Sequence, residues 1–315
     1  MAKDHPLVPG SEIAGFRVLK DLGTGAASQL YLVQDPKSKH IWTLKHVKKR
    51  SEKDQRFLDQ TEIEYQVGSA LKHPKLRHVE RIIKNRKLVR VSELFLLMEF
   101  VDGLPLDKQP PATFRDAAEV FQQVADALLY MHSAGYVHAD MKPNNVIVSE
   151  KNKAKVIDLG QSCRIGTIKE RIQGTVDYIA PEQVHRREIT PATDVYNLGA
   201  TMYWSITGSH IPTAMSRKSN NLGVSKDEFS LKRAEEPVSL NPDVPLEFSN
   251  LVMDCVEPVP AKRPNMKTVR NRLQVIQVRL ESQNLQLQEI VHGPQPSSSS
   301  AAASENSDTD RRRHV

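Results

Sequence analysis

Two glycines in Gly23-Thr24-Gly25-Ala26-Ala27-Ser28 lie between apolar runs, where backbone N–H groups could approach phosphate oxygens with no Cβ in the way. A plain hairpin turn accounts for two glycines equally well. A dinucleotide-binding turn is excluded, because this loop leads into a strand rather than a helix. Lys45 lies on the strand after next, and its ammonium could reach phosphates under the turn if its face lines a cleft. Glu64, on a following helical segment, would be its counter-charge, although exposed Lys and Glu are more often plain solvated surface. The densest polar run is Val137-His138-Ala139-Asp140-Met141-Lys142-Pro143-Asn144-Asn145, and 18 residues after Asp140 comes Asp158, within Ile157-Asp158-Leu159-Gly160.

Strands first and helices later must position these groups. Phe16 to Leu22 alternates only in part, since Lys20 falls on the face of Phe16 and Val18. Leu30 to Val33 and Ile41 to Val47 follow, the latter placing Ile41, Thr43 and Lys45 on one face. Glu52 to Leu71 reads as a helix, with Phe57, Ile63, Val67 and Leu71 near helical spacing, stopped by His73 and Pro74. Further strands are expected over Ile82 to Val91 and Leu94 to Phe100. Asp102 and Gly103 then break the chain at a hinge or boundary. Beyond it, Thr113 caps a helix running to Gly135, and Thr190, Pro191 and Gly208 bracket another. This segregation gives an α+β chain of two lobes with a cleft between them.

From Met266 to about Val291, Met266, Val269, Leu273, Ile276, Leu280, Leu287 and Ile290 recur in steps of three and four, with Gln283 at the one polar position. That pattern fits a short coiled coil, and it fits equally a last helix packed on its own domain. Residues 293–315 are Ser-rich and low in complexity, and are expected to be disordered. The expected divisions are an N-terminal extension over 1–10, a domain over 11–275 with lobes at 11–100 and 104–275, a helical extension over 276–292, and the tail.

The composition, with 39% hydrophobic and 26% charged residues, excludes collagen-like and wholly disordered chains. No apolar run has the length of a membrane span, and the chain start lacks an apolar signal core, so the expected location is cytoplasmic. The net charge of +6 is spread along the chain apart from Arg311 to Arg313, which gives no special support to nucleic-acid binding. Cys163 and Cys255 form neither a disulfide framework nor a C-x-x-C pair, and the histidines lack metal-site spacing.

The run around Asp140 followed by Asp158 resembles the H-R-D-L-K-P-x-N and D-F-G signatures of protein kinases, in order, spacing and apolar flanks. Ala180-Pro181-Glu182 is similar to the A-P-E motif, and Gly174-Thr175 to a pair found in eukaryotic-type serine/threonine kinases. The resemblance runs from about Gly15 to Arg272, and its style is closest to the bacterial members. It implies the bilobal protein-kinase fold, with a small mainly β N-lobe and a larger mainly α C-lobe. It also implies ATP and two Mg²⁺ ions, with Mn²⁺ as an alternative, held by Asn145 and Asp158. Lys45, oriented by Glu64, would hold the α- and β-phosphates. Asp140 would accept or orient the substrate hydroxyl proton, and Lys142 would neutralise γ-phosphate charge. Leu22, Gly23, Thr24 and Gly25 would cover the nucleotide, and Glu99 to Val101 would bond adenine through the backbone. Met98 would be the gatekeeper, with Leu22, Leu30, Thr43 and Ile147 as apolar walls. Asp194 would anchor the catalytic loop, Arg263 would pair with Glu182, and His138 would pack.

The implied partners are ATP and proteins offering Ser or Thr hydroxyls, with a dimer or a recruited protein on the helix 266–291. Ser28 stands for the third loop glycine, Thr43 for an alanine and Leu159 for the D-F-G phenylalanine, none removing a catalytic group. Ala139 stands for the arginine that would receive an activation-segment phosphate, which implies an active segment without phosphorylation, with Arg164 or Lys169 as substitute bases. A nucleotide-binding scaffold or pseudokinase is the alternative from another class. A small-molecule kinase is disfavoured by the Thr175 to Glu182 segment. The serines of the tail would be accessible to autophosphorylation.

Overall fold

The computed structural model describes residues 6–25, 27–218, 221–224 and 233–292. Six strands form one antiparallel sheet in the order β1-β2-β3-β4-β6-β5: β1 (Glu12–Ile13), β2 (Phe16–Thr24), β3 (Ser28–Gln34), β4 (Ile41–Lys48), β5 (Val79–Lys87) and β6 (Arg90–Glu99). The broken alternation at Lys20 has a local cause. The β2–β3 register shifts between Val18 and Lys20, so the bulge resets which side chains face inward. Phe16, Val18, Tyr31, Val33, Leu44, Phe95 and Leu97 bury one face of the sheet.

Helix α1 (Gln55–Ala70), entered through a 3-10 turn at Glu52–Asp54, covers the other face. It comes close because Gly68 has no side chain, as a Cβ there would meet Val79 Cγ2 at 2.3 Å. The next hairpin differs from the sequence expectation. The expected runs put a turn near Ser92 and Glu93, whereas β5 and β6 turn at Leu88 and Val89, with Lys87 opposite Arg90. Neither turn residue belongs to the usual Asn-Gly set, so no local signal marked the position.

Beyond β7 (Leu104–Pro105) come α2 (Phe114–Ser133) and, among the described residues, five further helices: α3 (Pro181–Val184), α4 (Pro191–Thr207), α5 (Pro237–Leu240), α6 (Leu246–Cys255) and α7 (Met266–His292). The Thr113 hydroxyl accepts the Asp116 N–H at 3.0 Å, capping α2 as its position implies. Short strands carry the loops between these helices. β8 (Tyr136–Val137) pairs with β11 (Cys163–Arg164), β9 (Val146–Val148) lies between β7 and β10 (Ala154–Val156), and β12 (Thr167–Ile168) pairs with β13 (Glu188–Ile189).

Helix α7 runs without a break through residue 276. Met266, Val269, Leu273 and Ile276 are buried in the helical core, where α7 packs chiefly on α2. The first half of the apolar stripe is thus covered by its own domain, as the packed-helix reading requires, and is not free to form a coiled-coil seam. Residues 293–315, with the tail serines, lie outside the described residues.

The lobes are joined behind the cleft by more than the chain crossing at 99–104. Val156 N–H donates to Lys75 O at 2.8 Å, and Arg77 N–H donates to Val156 O at 2.9 Å. Lys155 also pairs with Glu99 at 2.5 Å.

Candidate active site

Strand β4 carries Lys45 into the cleft because its alternation puts Leu44 into the sheet core and Lys45 on the opposite face. Lys45 Nζ meets Glu64 Oε2 of α1 at 2.7 Å, with the Lys45 side chain 19% exposed and that of Glu64 2%. Burial opposes the charge on Lys45, but Glu64 and Asp158 outweigh it and raise its pKa. The lysine is a fixed cation with one side open to the cleft.

The Asp140 loop is held from below by α4. Asp194 is fully buried, and its carboxylate accepts His138 N–H at 2.9 Å, Ala139 N–H at 2.8 Å and His132 Nε2 at 2.8 Å. Burial acts to raise the pKa of Asp194, yet the hydrogen bond and charge of His132, with the contribution of Ala139 N–H, hold it below the usual carboxylate value. Ala139 adopts a left-handed φ of 61°. That conformation carries a steric cost for a residue with a Cβ, and the two anchored N–H groups offset it. His138 is buried, with Nδ1 accepting Asp140 N–H at 3.3 Å, which is the packing role its sequence position implied.

Above this anchor three side chains form a closed triangle. Lys142 Nζ lies 2.8 Å from Asp140 Oδ2 and 3.0 Å from Thr175 Oγ1, and Thr175 Oγ1 donates to Asp140 Oδ1 at 2.9 Å. A hydroxyl and an ammonium therefore already occupy the two carboxylate oxygens of Asp140. Sequence reasoning used Thr175 only as a subclass marker and missed this contact.

Asn145 Nδ2 donates to Asp140 O at 2.8 Å, which turns the amide oxygen the other way. Asp158, with φ 61°, makes no ion pair within 4.0 Å among the described residues. Burial pushes its carboxyl up, but Lys45 first and then Lys142 hold it below the usual carboxylate range. Its Oδ1 accepts only the Gly160 N–H at 3.4 Å among the described residues, and an ionised carboxylate without an ion-pair partner beside an amide oxygen makes a hard donor set that fits Mg²⁺ or Mn²⁺.

A cavity of about 330 Å³ lies under the glycine turn, and Gly25, Ser28, Lys45, Asp140, Lys142 and Asp158 all line it. Gly23 has φ 118° and open space where a Cβ would be, so the turn leaves its backbone accessible from above. Among the described residues Thr24 ends β2 there. Glu64 lies behind Lys45 and Asn145 beneath Asp140, one step back from this cavity.

The apolar positions form a separate group. Thr43 pairs with Met98 across β4 and β6, Met98 is fully buried, and Leu30 packs on the cluster of Val79, Leu96 and Met98. Ile147 is buried in β9, and Leu22 is 39% exposed in β2. At the hinge, Glu99 N–H is taken by His78 O at 2.9 Å, while Val101 N–H has no acceptor among the described residues and is free for a ligand.

Two further features have no clear sequence signal. Gln183 Nε2 donates to Ala139 O at 2.8 Å and to Gln173 O at 3.2 Å, while its Oε1 accepts Ala180 N–H at 3.0 Å, tying the activation segment to the catalytic loop. Arg77 is buried behind Met98, with Nη1 3.9 Å from Met98 Sδ and Nε without a partner. Burial lowers its pKa against the pull of Glu64, Asp158 and Glu99.

The family model of the protein kinase domain matches residues 16–273. The chain belongs to the protein kinase family. Its relatives place it with the eukaryotic-type serine/threonine kinases, bacterial ones among them. It is 27% identical to the serine/threonine-protein kinase PknA of Mycobacterium tuberculosis over 260 residues, covering 80% of this chain and 58% of PknA. To the serine/threonine-protein kinase PrkC of Bacillus subtilis it is 26% identical, covering 81% of this chain and 39% of PrkC. An Aurora kinase of Eremothecium gossypii is 30% identical, covering 82% of this chain and 68% of that kinase. The chain thus spans little more than half the length of PknA. The family in general uses ATP and a divalent metal. Among the described residues no helix is long and apolar enough to cross a membrane.

Proposed function

We propose that the chain is an ATP-dependent serine/threonine protein kinase that transfers the γ-phosphate of ATP to Ser or Thr hydroxyls of proteins. The observation that carries this reading is the convergence of Lys45, Asp140, Lys142 and Asp158 on one cavity beneath a glycine turn, with Lys45 paired to Glu64 at 2.7 Å. Phosphoryl transfer needs positioning and charge neutralisation more than covalent help from the protein.

In this reading Lys45 binds the α- and β-phosphates and Glu64 fixes its direction. Val101 N–H bonds adenine, with Glu99 contributing through its carbonyl. Leu22, Leu30, Thr43 and Ile147 flank the base and Met98 limits its depth. Asn145 and Asp158 would hold divalent metal, which when bound would neutralise phosphate charge. Asp140 accepts the proton of the acceptor hydroxyl as its oxygen bonds to the γ-phosphorus and the bond to the β-phosphate oxygen breaks, releasing ADP. Lys142 balances charge on the moving phosphoryl group.

In this reading Ala139 leaves the catalytic loop without the arginine that would receive a phosphate, and hydrogen bonds tie the activation segment to the loop. Gln183 bridges both segments, and Lys169 Nζ donates to Gln161 O at 2.5 Å. Phosphatase treatment should therefore leave activity largely intact. The free thiols Cys163 and Cys255, the latter pushed up to about 12 by burial, suit a reducing compartment such as the cytoplasm.

The deciding experiment is transfer of labelled phosphate from ATP with Mg²⁺ to a generic protein acceptor, comparing wild type with Asp140→Asn and Lys45→Met. Transfer by the wild type that falls about 10²-fold or more in Asp140→Asn supports the reading. ATP binding with no transfer above the variants would make the chain a nucleotide-binding scaffold.

A further inference from the structure

The β5–β6 hairpin ends in a two-residue turn whose chemistry works against its own fold. Leu88 sits at φ 55°, a left-handed position that hairpins normally give to Asn, Asp or Gly. Leu88 is 98% exposed and Val89 86%. Hairpin stability therefore does not account for this pair, and neither does burial.

The surroundings of the pair are strongly cationic. Lys84, Arg86, Lys87 and Arg90 lie between residues 84 and 92 with no carboxylate among them. Lys84 is engaged with Glu62 at 2.8 Å, whereas no ion pair is formed by Arg86, Lys87 or Arg90 among the described residues. On the neighbouring edge, Lys49 N–H donates to Ser92 O at 2.8 Å, which brings the Lys48-Lys49-Arg50 run beside the base of the hairpin. Glu93 and Glu52 pair with Lys48 and Lys49 at 3.7 and 2.9 Å, so the carboxylates lie back from the tip and the free cations lie at it.

We propose that this hairpin docks the chain on the surface of an anionic phospholipid bilayer, with Leu88 and Val89 entering the acyl boundary and Arg86, Lys87 and Arg90 at the headgroups. The shape favours this occupant over others. The apolar tip is convex and only two residues wide, far below the area of a standard protein interface, and a fluid bilayer needs no complementary pocket. Single-stranded nucleic acid would call for aromatic stacking groups, and residues 84–92 contain none, while a duplex bound through its phosphates would leave the exposed Leu88 and Val89 without a role. The cations supply the charge complementarity, each worth about fivefold in partition onto an anionic surface. The ten residues of β6 run from the tip to the hinge, about 30 Å at strand rise, so a docked hairpin leaves the cleft open. The inference is independent of catalysis, because membrane partition is read without phosphate transfer.

The test is co-sedimentation of the full chain with phosphatidylcholine vesicles and with vesicles that also contain phosphatidylserine. Wild type should partition onto the anionic vesicles at least about tenfold better than onto neutral ones, and lose that preference in high salt. Leu88→Asn with Val89→Gly removes the apolar tip and installs the preferred turn, so the variant should fold as well as wild type and transfer phosphate in solution at the same rate. It should bind anionic vesicles about tenfold less. Arg86→Gln with Lys87→Gln should weaken binding by a similar or larger factor. Equal binding to both vesicle types, or anionic binding unchanged in the tip variant, overturns the proposal. So does absence of vesicle binding together with retention on a poly-glutamate matrix, which would assign the patch to an acidic protein surface.

Discussion

Two buried ion pairs, one in each lobe, are built to opposite ends. Arg263 and Glu182 are 0% and 3% exposed and meet through two bonds of 2.7 and 3.0 Å. Their remaining capacity is used up locally. Arg263 donates to the carbonyls of Glu257, Ala192 and Pro258, and Thr193 Oγ1 donates to Glu182 at 2.9 Å. Among the described residues Lys45 has a single acceptor in Glu64, and it keeps one side on the cavity. A saturated pair carries structure, whereas an unsaturated one retains capacity for a ligand.

The largest test of this contrast is Arg263→Ala against Lys45→Met. Removing Arg263 strands Glu182 and three carbonyls in the core, and should cost about 3–5 kcal/mol in chemical denaturation. Burial pushes the Glu64 carboxyl up, so with Lys45 gone it would take a proton instead of remaining a buried charge. Lys45→Met should therefore abolish transfer with a much smaller stability loss. Equal losses in the two variants would break the comparison.

Asp194 extends the contrast to pH. Its folded pKa is depressed below the reference 3.8, so its contribution is fully present above 3.8 and is lost as pH falls through the folded value. Asp194→Asn should be less stable than wild type at pH 7 by about 1–3 kcal/mol. The gap should hold down to about pH 4 and close only in stronger acid, followed by denaturation at each pH.

At the reactive triangle the expected effect is smaller. Thr175→Val removes one hydroxyl from Asp140 and Lys142, and should lower kcat about tenfold with the melting temperature nearly unchanged. A KM change without a kcat change would show that Thr175 serves binding alone. The smallest effect belongs to Arg77→Met. A buried cation with an unpartnered Nε gives little net stability, so the variant should stay within about 1 kcal/mol of wild type or exceed it.

The difference between the two lobes also governs what could be read from the sequence. Lys45, Glu64, Asp140, Asn145 and Asp158 were legible because the short runs around Asp140 and Asp158 resemble the protein-kinase signatures in order, spacing and apolar flanks, and such runs are local. The caps at Thr113 and at Thr190-Pro191 were legible for the same reason. Arg77 was not, since a cation inside a strand-forming stretch looks solvated until the packing of Met98 and α1 is known. Gln183 was equally silent, because its value lies in four partners drawn from separate segments, Ala139, Gln173, Ala180 and Asn197. The stripe on α7 was visible as a stripe, but which surface it covers was settled by α2, more than a hundred residues upstream. The turn at Leu88 and Val89 was missed because its residues contradict the local rule for hairpins.

The backbone stitch between residues 75–77 and Val156 has a mechanical consequence. Together with the chain crossing at 99–104 it fastens the two lobes along their rear edge, as two hinges fasten a door. Rocking of the lobes is then a swing about that edge, with little sliding or twisting. Travel is least at Met98 and Arg77, close to the axis, and greatest at the glycine turn, which lies at the free margin. Opening by a small angle lifts the turn and draws Lys45 from Asp158 while the depth limit set at the back stays constant. In the function proposed above, entry of a nucleotide and exit of its product would be served by the same short stroke.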